Sequence, residues 1–410
     1  MAIICCRFCG HGLNHEFVDL GVSPLSNSFL RSDQLNQMEP FYPLRTFVCE
    51  KCFLVQLEMF QSPDKIFSDY AYFSSFSESW LQHVEQYTRM AIERFALGKT
   101  SLVVEVASND GYLLNFFMQQ GLAVLGVEPA RNVAAMAQAK GIPTLVRFFG
   151  VQIACELVQQ GRLADLLVAN NVLAHVPDLN DFVAGLKLIL KPMGTITLEF
   201  PHLFRMIAGG QFDTVYHEHF SYFSFLTAQR VFERHGLTLY DVEELHTHGG
   251  SLRVFAAHAD DTSKTRSSRV ADLSRWERSL GCERIETYGT FHEKVRTVKR
   301  DLLKFLIKAR EDGQRVVGYG APAKGNTLLN YCGIRSDLLD FTVDISPHKQ
   351  GLFLPGTHIP IYAPEKIYAV QPDYVLILPW NIRREIMEQL HGIREWGGRF
   401  VIPIPKVEIV

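Results

Sequence analysis

From residue 101 onward the chain alternates short apolar runs with amphipathic stretches, a pattern that very few architectures satisfy. Runs at 101–106, 122–128, 163–169 and 195–200 have the length and side chains of strands. Between them, 112–120, 131–140, 151–160 and 181–191 carry apolar residues at helical spacing. Strands and helices in strict alternation dictate a parallel sheet with helices on both faces. Runs at 237–242 and 252–258 predict further strands at one edge, and 315–319, 340–344, 374–378 and 400–404 predict a second α/β unit. The charged segment between the two units has apolar positions at Val295, Val298, Leu302, Leu303 and Leu306, the mark of a helical connector with a solvated face. A chain of 410 residues exceeds what one hydrophobic core organises, so several domains are expected: 1–75, 76–260, 261–313 and 314–410.

The first of these is marked by cysteine. Four of the eight cysteines fall as Cys6-x-x-Cys9 and Cys49-x-x-Cys52. Two such pairs direct four thiolates at one tetrahedral Zn²⁺ and leave no position for water, so the site is structural; free or redox thiols are the alternative. Pro24, Pro40 and Pro43 and the lack of helical periodicity between the pairs suit a small β-rich lobe. With a formal net charge of −3, nothing global attracts nucleic acid or anionic lipid. Apolar runs such as 102–107 and 374–378 are far shorter than the ~20 residues of a membrane-spanning helix. No signal peptide is evident, and a cytoplasmic protein without nucleic-acid or membrane partners, monomeric, is expected.

In an open α/β sheet, ligands bind beyond the carboxyl ends of the strands. The stretch VVEVASNDGYLL puts Glu105 on the first strand and Ala107, Asn109, Asp110 and Gly111 in the turn that follows. GVEPA ends the second strand at Glu128 and Pro129, and the third ends at Asn170 and Asn171. The GxGxxG of a dinucleotide fold is missing. Carboxylates in these places suit the ribose hydroxyls and positive charges of S-adenosylmethionine; a strand-end charge at Glu128 and a helix cap at Asp110 are the plainer readings.

CRFC, VCEKC, EVASNDGYLL, GVEPA, NNVLAHV, YHEHFSYF, HGGSLR and GYGAPAKGNTLL occur in this order over nearly the whole chain, which thereby resembles the sugar C-methyltransferases of deoxysugar and antibiotic biosynthesis. The resemblance implies a zinc-binding N-terminal lobe, a central class I (Rossmann-like) methyltransferase sheet and a C-terminal Rossmann-like α/β domain. It also implies a dTDP-linked 4-ketohexose substrate, methylated beside the ketone. Within YHEHFSYF it identifies His219 as the base, and it brings Tyr72 and Ser75 near the methyl donor.

C-methylation requires a base for the α-proton and a donor for the enolate oxygen. Tyr216 suits the donor, Glu218 the orientation of a ring or a sugar hydroxyl, and His175 either a supporting role or that of a hydrogen-bonded core histidine. HEHF lacks the HExxH spacing of a zinc hydrolase. In the last unit, Tyr319, Gly320, Ala321, Lys324 and Asn326 surround a glycine turn whose free N–H groups and lysine suit a pyrophosphate. Asn381, which follows a later strand, and Tyr222 complete the candidate substrate residues; a degenerate dinucleotide fold is the alternative for the turn. Two other functions fit parts of the pattern: an O- or N-methyltransferase, and a zinc-knuckle regulator. The acidic Glu16, Asp19, Asp33 and Glu39 between the knuckles speak against nucleic acid.

Overall fold

A computed structural model describes residues 4–67, 75 and 78–410. The N-terminal lobe contributes β1 (His15–Ser23), β2 (Tyr42–Val48) and β3 (Val55–Leu57), followed by the helices α1 (Pro63–Phe67) and α2 (Glu78–Arg94). Next come β4 (Leu102–Val106), α3 (Tyr112–Gln119), β5 (Ala123–Val127), α4 (Arg131–Ala139), β6 (Thr144–Leu145), α5 (Val151–Gln159), β7 (Ala164–Asn170), α6 (Leu179–Ile189) and β8 (Leu190–Pro201). The chain continues through α7 (Leu203–Ala208), β9 (Ser221–Tyr222), α8 (Phe225–Arg234), β10 (Leu237–Leu245) and β11 (Ser251–His258).

The central sheet has the order β10-β11-β8-β7-β4-β5-β6, parallel except for β11, which runs antiparallel to both neighbours. From β4 the chain winds outward to β5 and β6, then returns to β7 on the other side. The switch point, where a crevice must open, therefore lies between the carboxyl ends of β4 and β7. The strands expected at 101–106, 122–128, 163–169 and 195–200 all form, and the two edge strands with them.

The connector contains α9 (Ser268–Ser279), α10 (Ile285–Gly289) and α11 (Phe291–Glu311). It is less detached than its charge suggests. Val295, Val298, Leu302 and Leu306 of α11 share one core with Phe17, Val18 and Leu20 of β1 and with Val316 and Val317 of the last domain. Phe291 stacks on Phe17 with centroids 4.7 Å apart. The helix is the joint between the first and last domains, and only its other face is solvated.

The last domain comprises β12 (Val316–Tyr319), α12 (Ala323–Cys332), β13 (Thr342–Val343), β14 (Ile361–Tyr362), α13 (Glu365–Val370), β15 (Tyr374–Ile377), α14 (Arg383–Gln389), β16 (Arg399–Ile402) and β17 (Glu408–Ile409). Its sheet order, β14-β13-β12-β15-β16-β17, places a second switch point between β12 and β15. The N-terminal sheet, β1-β2-β3-β9, takes its last strand from the segment between β8 and β10 of the central sheet: Tyr222 pairs with Val55 and Ser221 with Gln56. YHEHFSYF is thus the seam between two domains. No helix among the described residues is long and apolar enough to cross a membrane.

Candidate active site

The two cysteine pairs converge. Cys6 and Cys52 Sγ are 3.5 Å apart, as are Cys9 and Cys49, and all four lie within 4.8 Å of one another. A disulfide would need about 2.05 Å. Four sulfurs about 2.3 Å from a central ion would be separated by roughly 3.8 Å, so the set fits Zn²⁺ closely. Both knuckles fold alike: the N–H of Gly10 returns to Cys6 O and that of Phe53 to Cys49 O, each residue having φ positive, at 75° and 62°. Cys5 stands outside the cluster, exposed.

At the first switch point the turn after β4 holds Ala107, Asn109 and Gly111 at φ 57°, 49° and 75°. A side chain at Gly111 would meet Ile142 Cδ1 at 2.4 Å. Glu128 spans the turn, its oxygens accepting from Asn109 N–H at 2.9 Å and Ala130 N–H at 2.8 Å, with Pro129 between Glu128 and Ala130. Burial raises the Glu128 pKa, and that of Glu105 well above the usual carboxylate range, where Glu128 and Asp110 add repulsion. Lys140 Nζ meets Asp110 Oδ2 at 3.2 Å. Yet Glu105 Oε2, Asp110 Oδ1, Ser108 Oγ, Asn171 Oδ1 and both amide atoms of Asn170 are buried without a hydrogen-bond partner among the described residues. Unmet polar atoms of this density, most of them acceptors and carboxylates among them, fit the amine, sulfonium and ribose hydroxyls of S-adenosylmethionine. Tyr72 lies outside the described residues, and Ser75 is half-buried ahead of α2.

Residues 216–219 form a turn closed by His219 N–H to Tyr216 O at 2.9 Å, and only 221–222 are strand. A turn sets its first and fourth residues side by side: the Tyr216 and His219 rings have centroids 4.0 Å apart, and Tyr216 Oη lies 2.8 Å from His219 Nε2. Nδ1 of His219 faces the Thr214 carbonyl at 2.8 Å. A carbonyl only accepts, so the proton of the neutral ring sits on Nδ1 and Nε2 is the bare nitrogen. Burial, and then the neighbouring His175, hold the His219 pKa well below 6.5. The His175 ring lies 4.7 Å away, its Nδ1 buried without a partner among the described residues, and burial pushes its pKa down to about 4.

Glu218 turns away from His219 and accepts from Asn27 Nδ2 of the N-terminal lobe at 2.6 Å. His217 packs into the same lobe, against Tyr42 and the Pro43 carbonyl. The Tyr222 ring meets His219 edge-on at 6.1 Å.

At the second switch point, Lys324 and Asn381 arrive from separate motifs and bond at 2.9 Å. The glycine turn does not keep its amides free, however. Gly320 N–H goes to Val343 O at 2.6 Å and Ala321 N–H to Asp344 Oδ2 at 2.7 Å, so the pyrophosphate cradle expected there lacks these two donors. Tyr319 Oη is engaged by Gln389 at 3.0 Å, away from Lys324. Asn326 is buried, with neither amide atom partnered among the described residues.

Sequence reasoning missed several residues. Glu199, on β8, is buried between His83 at 3.0 Å and Arg253, whose Nε is 2.9 Å away; burial opposes its ionisation, but these partners hold its pKa low. A carboxylate in the apolar run TLEF and an arginine in SLRVF were the available signals. Trp80 stacks on His83 at 5.0 Å and reaches His248 at 5.6 Å, tying α2 to the crevice. Asp213, fully buried beneath Trp380, carried no signal at all.

Comparison with known proteins agrees with this layout. Family models match residues 6–67 as a zinc binding domain, 80–242 as a methyltransferase domain and 246–405 as a C-methyltransferase C-terminal domain. The chain is 38% identical over 408 residues to C-methyltransferase NovU of Streptomyces niveus, covering 99% of this chain and 96% of that one. Among solved structures, the PH0226 protein of Pyrococcus horikoshii OT3 aligns at TM-score 0.38 and 14% identity, over 48% of this chain and 99% of that one. Magnesium protoporphyrin IX methyltransferase of Synechocystis PCC 6803 aligns at 0.33 and 15%, over 43% and 79%.

Proposed function

The chain belongs to the C-methyltransferase family with a zinc-binding N-terminal domain, and from that premise we propose that it methylates C3 of a dTDP-linked 4-keto-deoxysugar through an enolate. S-adenosylmethionine supplies the electrophilic methyl group. Glu105, Asp110, Asn170 and Asn171 would hold the donor's polar groups, Glu128 its ribose, and Ala107, Asn109, Gly111 and Pro129 the backbone around it, with Tyr72 and Ser75 at its reactive end.

The observation that carries the reading is the Tyr216–His219 turn: a neutral imidazole with its bare nitrogen fixed by the Thr214 carbonyl and covered by a phenol. His219 Nε2 takes the α-proton, and the C–H electron pair enters the enolate. As the α-carbon replaces the phenol at Nε2, Tyr216 transfers its hydrogen bond to the ketone oxygen. The enolate carbon would then attack the donor's methyl group, forming the new C–C bond as the S–CH₃ bond breaks and its electron pair leaves with S-adenosylhomocysteine, and the ketone returns. Glu218, held by Asn27, accepts a sugar hydroxyl, His175 supports the His219 ring, and Tyr222 borders the sugar. The domain 314–410 takes the nucleotide side, with Tyr319, Gly320, Ala321 and Asn326 around the turn and Lys324 and Asn381 at its edge.

An O- or N-acceptor would need no enolate, which makes hydrogen exchange decisive. With S-adenosylhomocysteine in D₂O, the enzyme should wash out the sugar's α-proton, and H219A should lower both exchange and methylation by ~10²–10⁴-fold. Wild-type exchange and methylation in H219A would place the base elsewhere, and a methyl group on oxygen or nitrogen in the product would exclude the carbon acceptor.

A further inference from the structure

The lysine of the glycine turn points away from the task its motif suggests. Around the turn, Gly320 and Ala321 have spent their amides, and the buried carboxylate of Asp344 stands where a diphosphate would need positive charge. The cation beside that carboxylate is Lys349, which bonds Ala321 O at 3.0 Å and lies 3.5 Å from Asp344.

Lys324 leaves in the other direction. Its ammonium donates to Asn381 Oδ1 at 2.9 Å and lies 4.8 Å from the centre of the Trp380 ring. Trp380 Nε1 donates to Asp213 Oδ2 at 2.7 Å, and Asp213 adjoins Thr214, whose carbonyl fixes His219. One turn along α12, Thr327 Oγ1 donates to Val215 O at 3.2 Å, seating the start of this helix on the segment that carries Thr214 and Tyr216. The charge of Lys324 is felt at His219 and His248, both of which it makes harder to protonate, and at Asp213, whose ionisation it favours.

The chemistry has a gap of the matching kind. A buried histidine with lowered basicity is a weak base for a C–H bond, so the enolate must be stabilised on the oxygen side. A phenol is one donor, and a half-buried ammonium is a stronger one because it carries a full charge and low dielectric magnifies its field.

We propose that Lys324 is a catalytic residue whose ammonium donates a hydrogen bond to the enolate oxygen beside Tyr216, with Asn381, Trp380 and Asp213 holding it in place. The assignment rests on the enolate reading above. As the α C–H bond breaks, its proton goes to His219 Nε2, its electron pair becomes the C=C bond, and the carbonyl pair moves to oxygen. The lysine protons stay on nitrogen. When the C–CH₃ bond forms, the donor's S–CH₃ bond breaks with its electron pair staying on the sulfur of S-adenosylhomocysteine, the oxygen charge disappears and the lysine returns to Asn381.

The test measures α-proton exchange in D₂O with S-adenosylhomocysteine, together with dTDP affinity by calorimetry, for wild type, K324M and K324R. Losing one preorganised donor typically costs ~10²–10³-fold. K324M should lose that much exchange and methylation while binding dTDP within about threefold of wild type, and K324R, keeping the charge, should recover at least tenfold of the loss. Exchange in K324M at the wild-type rate overturns the assignment. So does a tenfold or greater loss of dTDP affinity in K324M with K324R intact, which would return the lysine to the diphosphate. Absence of exchange in the wild type strikes instead at the enolate reading itself.

Discussion

His219 shows how neighbours decide what a side chain can do. Its ring is buried against His175, its proton is held on Nδ1 by a carbonyl, and its pKa lies well below 6.5. A base must be deprotonated to act, so His219 in its proposed role would stay competent as pH falls through neutrality. The pH profile of kcat/KM for methylation should therefore show no acid-side loss between pH 7.5 and about 6.5; a limb centred at 6.5 would indicate a solvated histidine. Stability shares the cause. His175 and His248 are pushed down to about 4, and His217 is lowered as well, all by burial. These rings bind fewer protons folded than unfolded, so their stabilising contribution is complete above the unfolded pKa, near 6.5, and is lost as pH drops toward 4. The four residues of the histidine stretch were legible as proton-handling chemistry. Their partners were not, because a turn rather than a strand pairs Tyr216 with His219 and sends Glu218 to Asn27.

Among the elements, the connector departs furthest from its sequence pattern. Lys- and Arg-rich composition conceals Glu277 on α9, which is fully buried. Its carboxylate accepts from Phe225 N–H at 2.6 Å and Leu226 N–H at 2.9 Å, the first amides of α8, and from His202 Nε2 at 2.6 Å. An anion at a helix N-terminus meets both unpaired donors and the dipole. E277A strands three buried donors and should destabilise the protein by roughly 3–5 kcal/mol in urea or thermal unfolding, with E277Q costing less. Equal unfolding midpoints for E277A and wild type would remove this role. Strands and helices of the two sheets were readable because burial on both faces of a parallel sheet leaves apolar runs that local sequence displays. An acid that caps another segment's helix leaves no such local trace.

At the scale of the molecule, the zinc lobe and the 216–219 turn are parts of one construction. β3 follows directly from the second knuckle and pairs with β9, and Phe220 N–H continues the contact to Ala174 O at 2.7 Å, beside His175. Removing zinc by chelation, or by C49S, should take metal content from about one ion per chain to none and lower methylation more than tenfold. S-adenosylhomocysteine affinity, assigned to the β4 and β7 ends under the proposal, should change far less. Metal-free protein with full activity would show that the lobe does not hold the turn. The sequence by itself determined the cysteine quartet, the parallel sheets and the acidic crevice at β4, because knuckle spacing, apolar periodicity and strand-end residues are local properties of the chain. The tertiary structure alone decided that Asn27, His175 and Asp213 gather around the turn that carries His219, with the charges of Lys324 and His248 felt there. They come from different domains, and the packing of α11, the pairing of β3 with β9 and the contacts of Thr327 with Val215 and Trp380 with Asp213 bring segments far apart in sequence within reach of each other.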